Sequence, residues 1–328
     1  MNSPILIGIG AGLVSAVLFA STLTGTVLAM MLFYLTALPG FLAGLGWGTQ
    51  AAIITALVGS GLTSVLLSPV TGLGYFLTLG LPIAILCHFA LLARPANEAE
   101  GASASTPAGA MDWYPPGRII AITTLMAGCV AALSVPILGM DAETYRTNLQ
   151  EILDKTFLSR LPESGNITLD KEEMGPVIDM LIRALPAASA IVWFSIMLLN
   201  MWSAARIATV SGRSIRPWPD LSMMSYPNKF ALGFVASLIG TFSPGIFGII
   251  ATGFVGAFLI AYILLGLVVL HVLARYTAFK FALLGALYMG IFLFGWVAIV
   301  VAIVGIGDPI FKLRERAARP PLPPKSKD

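Results

Sequence analysis

Long apolar stretches separated by short polar joints set the pattern of this chain. Each is close to the ~20 residues that a helix needs to cross a bilayer, and none alternates between apolar and polar positions as a strand would. We count nine stretches, at approximately residues 4–22, 24–46, 50–69, 72–93, 118–138, 184–206, 229–249, 251–273 and 281–305. The pattern predicts an all-α protein, a polytopic transmembrane helix bundle of about eight to nine spans.

The charged residues are few, and they lie in the joints between the apolar stretches. They make up 11% of the 328 residues, whereas a soluble domain carries roughly 25%. Residues 1–93 contain no Asp, Glu, Lys or Arg, and residues 230–307 contain only Arg275 and Lys280. Stretches this poor in charge are typical of segments that lie in hydrocarbon.

Polar regions divide the chain into parts. A linker of small residues, 94–117, separates a four-span front bundle (residues 1–93) from a back bundle (residues 118–305). An acidic insert, residues 139–183, interrupts the back bundle with nine acids and five bases, a net charge of 5 − 9 = −4. Residues 306–328 form a basic, Pro-rich tail.

The acidic insert shows apolar positions at helical spacing. These positions are Tyr145, Leu149, Ile152, Leu153 and Phe157. They predict an amphipathic helix outside the membrane, followed by a short helix from Asp170 toward Leu185. The amphipathic helix is either a solvated cap over the bundle or a lid over a ligand pocket.

The basic joints bear on topology, because positively charged loops favour the cytoplasmic side. The loop 206–229 and the tail are both basic, yet nine simple spans would place them on opposite sides of the membrane. Gly285, Gly290 and Gly295 interrupt the stretch 281–311. We therefore interpret that stretch as a broken or re-entrant element and predict that both termini lie inside.

The first helix carries a stripe of small residues spaced by four, namely Gly8, Gly12, Ala16 and Ala20. Such a stripe lets a second helix approach closely, which is how helices associate in lipid. The partner is either another helix of this chain or a docked partner subunit.

A second group of candidates consists of uncharged polar residues near the ends of the spans. Gln50 follows the glycine-rich segment 39–48, which we interpret as a tight turn or as a ligand-contacting loop. His88, Asn200 and His271 lie one to two turns inside the basic ends of even-numbered helices. They are either separate packing residues or, with Gln50, a polar layer that contacts a ligand.

Several kinds of function lack the residues that they require. Ion-coupled carriers have ionisable groups inside their spans. No predicted span of this chain carries an acid or a base in its middle. The sequence has no catalytic acid–base pair, no cluster of metal ligands and no nucleotide-binding GxxxxGK[ST] motif. We therefore expect a protein that is not an enzyme, has no metal or other cofactor, and binds lipid rather than nucleic acid. An enzyme acting on lipid is a third, weaker alternative.

Local residues carry a resemblance to a known family. They are the glycines of the first helix, Pro39 with the glycines up to Gly48, the helix end Gly266-Leu-Val-Val-Leu-His271, and Gly305-Ile-Gly-Asp308 followed by Lys312-Leu-Arg314. In these features the chain resembles the YybS-like family of bacterial membrane proteins, a family of unknown function. The resemblance implies a multi-pass protein of the bacterial inner (cytoplasmic) membrane.

The front part of that family is distantly similar to the substrate-binding S subunits of energy-coupling-factor transporters. This similarity implies that the stripe from Gly8 to Ala20 docks a transmembrane coupling subunit, and that a separate ATPase supplies the energy. The expected function is then a subunit that binds a vitamin-like small molecule for uptake. The alternative is a membrane scaffold or assembly protein without a ligand.

Overall fold

The computed structural model describes residues 3–96, 110–156 and 171–317, and most of them are helical. The helices are α1 Pro4–Ala20, α2 Val27–Tyr34, α3 Leu38–Trp47, α4 Thr49–Leu66, α5 Pro69–Tyr75, α6 Leu81–Leu91, α7 Pro116–Leu138, α8 Ala142–Thr156, α9 Lys171–Val210, α10 Phe230–Gly240, α11 Ile246–Ala274, α12 Lys280–Leu293, α13 Val297–Phe311 and α14 Leu313–Ala317. A π-helical turn, Phe76–Gly80, joins α5 to α6. Two short strands, β1 Ala93–Pro95 and β2 Met111–Trp113, pair as an antiparallel hairpin.

Seven helical segments are long and apolar enough to cross a membrane, so the predicted all-α transmembrane bundle is confirmed. They are Pro4–Thr24, Val27–Trp47, Thr49–Leu66, Pro69–Leu91, Pro116–Leu138, Arg183–Val210 and Ile246–Ala274. Each corresponds to one of the predicted stretches, because a long apolar run in lipid must satisfy its backbone groups within a helix.

The other two predicted stretches are not single spans. The stretch 229–249 contains α10, which ends at Gly240, and α11 begins at Ile246 after a turn in which Gly245 has a φ of 68°. The stretch 281–305 is broken between α12 and α13. The three helices have 11, 14 and 15 residues, and at 1.5 Å per residue they are too short to cross alone.

Two further predictions about local structure need correction. The glycine-rich segment 39–48 is not a turn, since α3 continues to Trp47 and only Gly48, with a φ of 99°, separates it from α4. The helix predicted from Asp170 toward Leu185 is not a separate short helix, because α9 runs from Lys171 to Val210 without interruption. The amphipathic helix is confirmed as α8, although Phe157 and residues 158–170 lie outside the described residues.

The bundle has one end that is rich in arginine, which we call the basic end. Arg216 donates hydrogen bonds to the carbonyls of Ala90 (3.0 Å) and Tyr114 (2.9 Å), so it joins the end of α6 to the start of α7. Arg213 lies over the ring of Trp47, at the end of α3. The ends of α3, α6 and α9 and the start of α7 therefore meet at this end.

The opposite end carries α8, and we call it the acidic end. Tyr145 and Leu149 of α8 are buried against Val135, near the end of α7, and against Ile246 and Ile249, at the start of α11. The apolar face of α8 therefore lies on the bundle, and its charged face remains exposed.

The start of the first helix and the start of the tail both lie at the basic end. A Cβ on Gly8 would meet α4 at Ala51 and Ile54, and a Cβ on Gly12 would meet it further along, at Val58. Since α1 and α4 are thus parallel and α4 starts beside Trp47, the N-terminus lies at the basic end. The tail begins beside the loop after α9, because Arg314 donates a hydrogen bond to the carbonyl of Ser222 in that loop (2.7 Å). The prediction that loop and tail share one side fits this contact.

Two hydrophobic cores hold the helices together, and both draw on α7 and α9. One includes Phe41 of α3 and Met197 of α9, and the other includes Phe194 of α9 and Phe258 of α11. Residues from both sides of the linker 94–117 therefore pack in one core. Residues 97–109 of the linker lie outside the described part of the chain.

Candidate functional site

The small-residue stripe of α1 is an internal packing face for most of its length. Gly8, Gly12 and Ala16 are buried, and Ala20 is half-buried. A Cβ on Gly8 would lie 2.8 Å from the carbonyl oxygen of Ala51, on α4. Helix α4 of the same chain therefore occupies the face that the sequence left open for a partner subunit.

The predicted polar residues do not form one layer. Gln50 and His88 are exposed. The Nδ1 of His271 bonds to the carbonyl of Leu267 (2.8 Å) within its own helix, and its Nε2 lies 3.3 Å from the hydroxyl of Tyr288 on α12. Among the described residues, no hydrogen bond or ring contact joins two of the four candidates.

Asn200 holds a break between two helices. It is 2% exposed, and its Nδ2 donates to the carbonyl of Tyr34 (2.8 Å), which is the last residue of α2. A carbonyl at a helix end lacks an intrahelical partner, and lipid offers none. Asn200 therefore stabilises the kink between α2 and α3.

A second polar contact, made by Ser15, stabilises the same kink and was not predicted from the sequence. The hydroxyl of Ser15 donates to the carbonyl of Thr36 (2.6 Å) and also bonds to the hydroxyl of Tyr75 (2.6 Å). All three residues are buried. They are typical of structural polar groups in the membrane, where buried hydroxyls bond across helices.

A polar cavity of ≈ 740 Å³ lies at the acidic end, beneath α8. Four elements line it: α8, α9 at Asp179 and Arg183, the turn between α10 and α11, and the first turns of α11. Its charged side chains are Glu143, Arg146, Asp179 and Arg183, and its hydroxyls are those of Thr241, Ser243 and Thr252. Both signs of charge face one space, which suits a small polar molecule.

Polar contacts stabilise the start of α8 and tie the helix to α9. Asp141 caps the helix by accepting hydrogen bonds from the backbone N–H of Thr144 (2.9 Å) and of Glu143 (3.0 Å). The bonds from Thr144 hold the pKa of Asp141 below its usual value. Arg146 forms an ion pair with Asp179, which ties α8 to α9. The sequence pattern predicts the net charge of the insert but does not single out Arg146, Asp179 and Arg183 as site residues. The spacing of Asp179 and Arg183, four apart as on one face of a helix, was the available signal.

We expect the change Asp179→Asn to loosen α8 without unfolding the bundle. The ion pair with Arg146 is largely exposed, so its loss costs at most about 1 kcal/mol. Amide hydrogen exchange in residues 142–156 should accelerate, because this helix then opens locally more often. Asp112→Asn is the matched control, since it removes the exposed pair with Arg94 at the other end. Equal exchange in all three proteins would contradict a clamping role.

A second cavity, of ≈ 440 Å³, lies at the basic end, and we call it the apolar groove. It runs between α9 and α11, where Leu198 and Trp202 face Ile263 and Leu264, and Trp218 of the following loop covers part of it. Arg216 also borders this cavity, where burial lowers the pKa of its guanidinium. A guanidinium nevertheless stays protonated at neutral pH.

Comparison with family models, with curated proteins and with solved structures gives no match for this chain. The two cavities are therefore interpreted from their own residues.

Proposed function

We propose that this protein is a membrane subunit that binds a small polar, vitamin-like molecule at its acidic end and takes part in its uptake. The observation that carries the proposal is the polar cavity beneath α8, where Arg146, Arg183, Glu143 and Asp179 converge. A molecule with both a carboxylate and a donor group fits such a mixed set of charges, because charged groups make the strongest hydrogen bonds.

The distribution of charge supports uptake rather than export. Arg206, Arg213 and Arg216 lie at or beyond the end of α9, at the basic end. Under the positive-inside rule this end faces the cytoplasm. The polar cavity then opens on the outer side, where a solute is captured.

The energy for transport comes, in this proposal, from a partner. The chain has no GxxxxGK[ST] motif, and the described spans carry no acid or base at their centres. A separate ATPase and a transmembrane coupling subunit are therefore part of the proposal, as the similarity to S subunits implies. Because α4 covers the α1 stripe, we place the coupling subunit on another surface.

The binding site is tested by thermal unfolding in mild detergent against vitamins and zwitterionic nutrients. A true ligand at 100 times its Kd stabilises the protein by about 2.7 kcal/mol. Arg183→Gln should weaken binding about tenfold or more, since a charged hydrogen bond is worth roughly 1.5–3 kcal/mol. Arg213→Gln, at the basic end, is the matched control and should bind as the wild type does. Equal binding by both variants would place the ligand elsewhere.

A scaffold without a ligand is the second candidate, and α12 favours it. None of the residues of α12 is buried, and Phe281 (80% exposed) and Phe292 (85%) project from the helix. An exposed apolar helix of this kind suits contact with another membrane protein. Co-purification from native membranes with mass spectrometry separates the two functions. Recovery of an ATPase supports the uptake proposal, and partners without any ATPase support the scaffold.

A further inference from the structure

We infer that the apolar groove at the basic end binds an anionic phospholipid, with its acyl chains between α9 and α11 and its phosphate beside Arg206. This site lies at the other end of the bundle from the polar cavity, and the inference does not depend on the proposed function.

The wall of the groove excludes a polar occupant. It consists mainly of aliphatic and aromatic side chains. Its hydroxyl groups already bond to nearby backbone: Ser195 to the carbonyl of Ile191 (2.7 Å), and Thr209 to the carbonyl of Ala205 (2.8 Å). The guanidinium of Arg216, which borders the groove, already donates to the carbonyls of Ala90 and Tyr114. A polar molecule that entered would therefore lose more hydrogen bonds to water than it gains from the wall, which costs free energy. Hydrocarbon is the chemistry that the wall accepts.

The groove opens sideways, in the direction of the membrane. Leu199 and Trp202, which line it, are 59% and 53% exposed although they lie on a spanning helix. Side chains of this kind face acyl chains when the protein is in a bilayer. The volume of ≈ 440 Å³ is within the range of about 300–1,000 Å³ for ligand pockets.

The mouth of the groove lies at the depth of the lipid headgroups. Three arginines lie over tryptophan rings at the basic end: Arg206 over Trp218 (5.2 Å to the ring centre), Arg213 over Trp47 (5.6 Å) and Arg216 over Trp113 (6.0 Å). Trp218 lines the groove, so Arg206 stands at its mouth, whereas neither Arg213 nor Trp47 lines it. Tryptophan is enriched at membrane–water interfaces, so these pairs mark that level of the bundle.

The charge at this mouth selects an anionic headgroup. The loop 206–229 carries four bases and a single acid, Asp220. The pKa of Asp220 is lowered, chiefly by its hydrogen bond from Ser222 and to a smaller extent by the nearby charge of Arg275. The stacked guanidinium of Arg206 keeps donors for a phosphate, and basic sites between spans bind such headgroups.

The test uses the full-length protein, reconstituted in vesicles with equal amounts of phosphatidylglycerol and phosphatidylcholine and then extracted in mild detergent. Native mass spectrometry counts the retained lipids. We expect phosphatidylglycerol to be retained in preference to phosphatidylcholine. Equal retention of the two would overturn the inference, and so would retention of a free fatty acid or an isoprenoid in place of phospholipid.

Variants locate the site. Arg206→Gln should lower retention of phosphatidylglycerol about fivefold, the effect of one basic residue near an anionic surface, and leave phosphatidylcholine unchanged. Ile263→Trp fills the groove and should lower retention of both lipids, and Leu264→Phe serves the same purpose if that variant folds poorly. Arg213→Gln is the matched control, because it removes the same charge at the same end outside the groove. If it lowers retention as much as Arg206→Gln, the attraction belongs to the whole surface and the inference fails.

Discussion

Replacement of Arg314 by Met is expected to lower the free energy of unfolding by about 3–5 kcal/mol, the usual effect of leaving one partner of a buried ion pair alone. The side chains of Arg314 and Asp308 are 17% and 5% exposed. The Nη2 and Nε of Arg314 donate to one oxygen of Asp308, at 2.6 and 2.9 Å. Its Nη1 donates to the carbonyls of Ser222 (2.7 Å) and Met224 (2.9 Å), so the variant also frees two acceptors.

The measurement is denaturant unfolding in mixed micelles, with Arg316→Gln as the control because Arg316 is exposed in the same short helix. The double variant Asp308→Leu with Arg314→Met should recover part of the loss, since no uncompensated carboxylate then remains. A change below 1 kcal/mol for Arg314→Met, ~1 being typical of exposed pairs, would show that this ion pair is hydrated in the membrane.

Gly12→Leu is expected to destabilise the bundle by about 1–3 kcal/mol or more, because it overpacks the contact between α1 and α4. A Cβ at Gly12 would lie 2.8 Å from the Cβ of Val58 and 3.0 Å from the carbonyl oxygen of Thr55. The backbone carbonyl cannot move aside as a flexible side chain can, so the two helices must separate.

Gly10→Leu is the matched control for this variant. A Cβ at Gly10 meets no atom within 4 Å, and the gain in helix propensity is the same at both positions. The midpoint temperature of thermal unfolding should fall for Gly12→Leu and remain at or above that of the wild type for Gly10→Leu. Loss of a co-purifying partner with unchanged stability of Gly12→Leu would instead support docking on the stripe.

The sequence predicted the seven spans because the bilayer imposes both length and composition on them. It failed where helices are interrupted inside the membrane. Its hydropathy predicts one span over 229–249, although Pro244 and Gly245 stand before α11. That pair is a turn signal, and its apolar surroundings concealed it.

The candidate sites were predicted less well, because they depend on which helices meet. Asn200 could be identified as polar within a span, but not as the partner of the Tyr34 carbonyl, since that carbonyl is free only where α2 ends. The polar cavity joins α8 to the turn before α11, and these are far apart in the sequence. Periodicity predicted the buried face of α8, represented by Tyr145 and Leu149, but it could not predict which parts of the bundle that helix would meet.

The hairpin of β1 and β2 closes the chain on itself beside the basic end. The N–H of Ala96 donates to the carbonyl of Ala110 (2.8 Å), and Tyr114 bonds back to Leu92 (2.9 Å). The residues that flank the segment 97–109 therefore lie next to each other. Its length is decoupled from the distance between α6 and α7, and doubling it would add only about 0.6 kcal/mol of closure entropy. A domain can therefore be inserted at this position with little effect on the stability of the bundle.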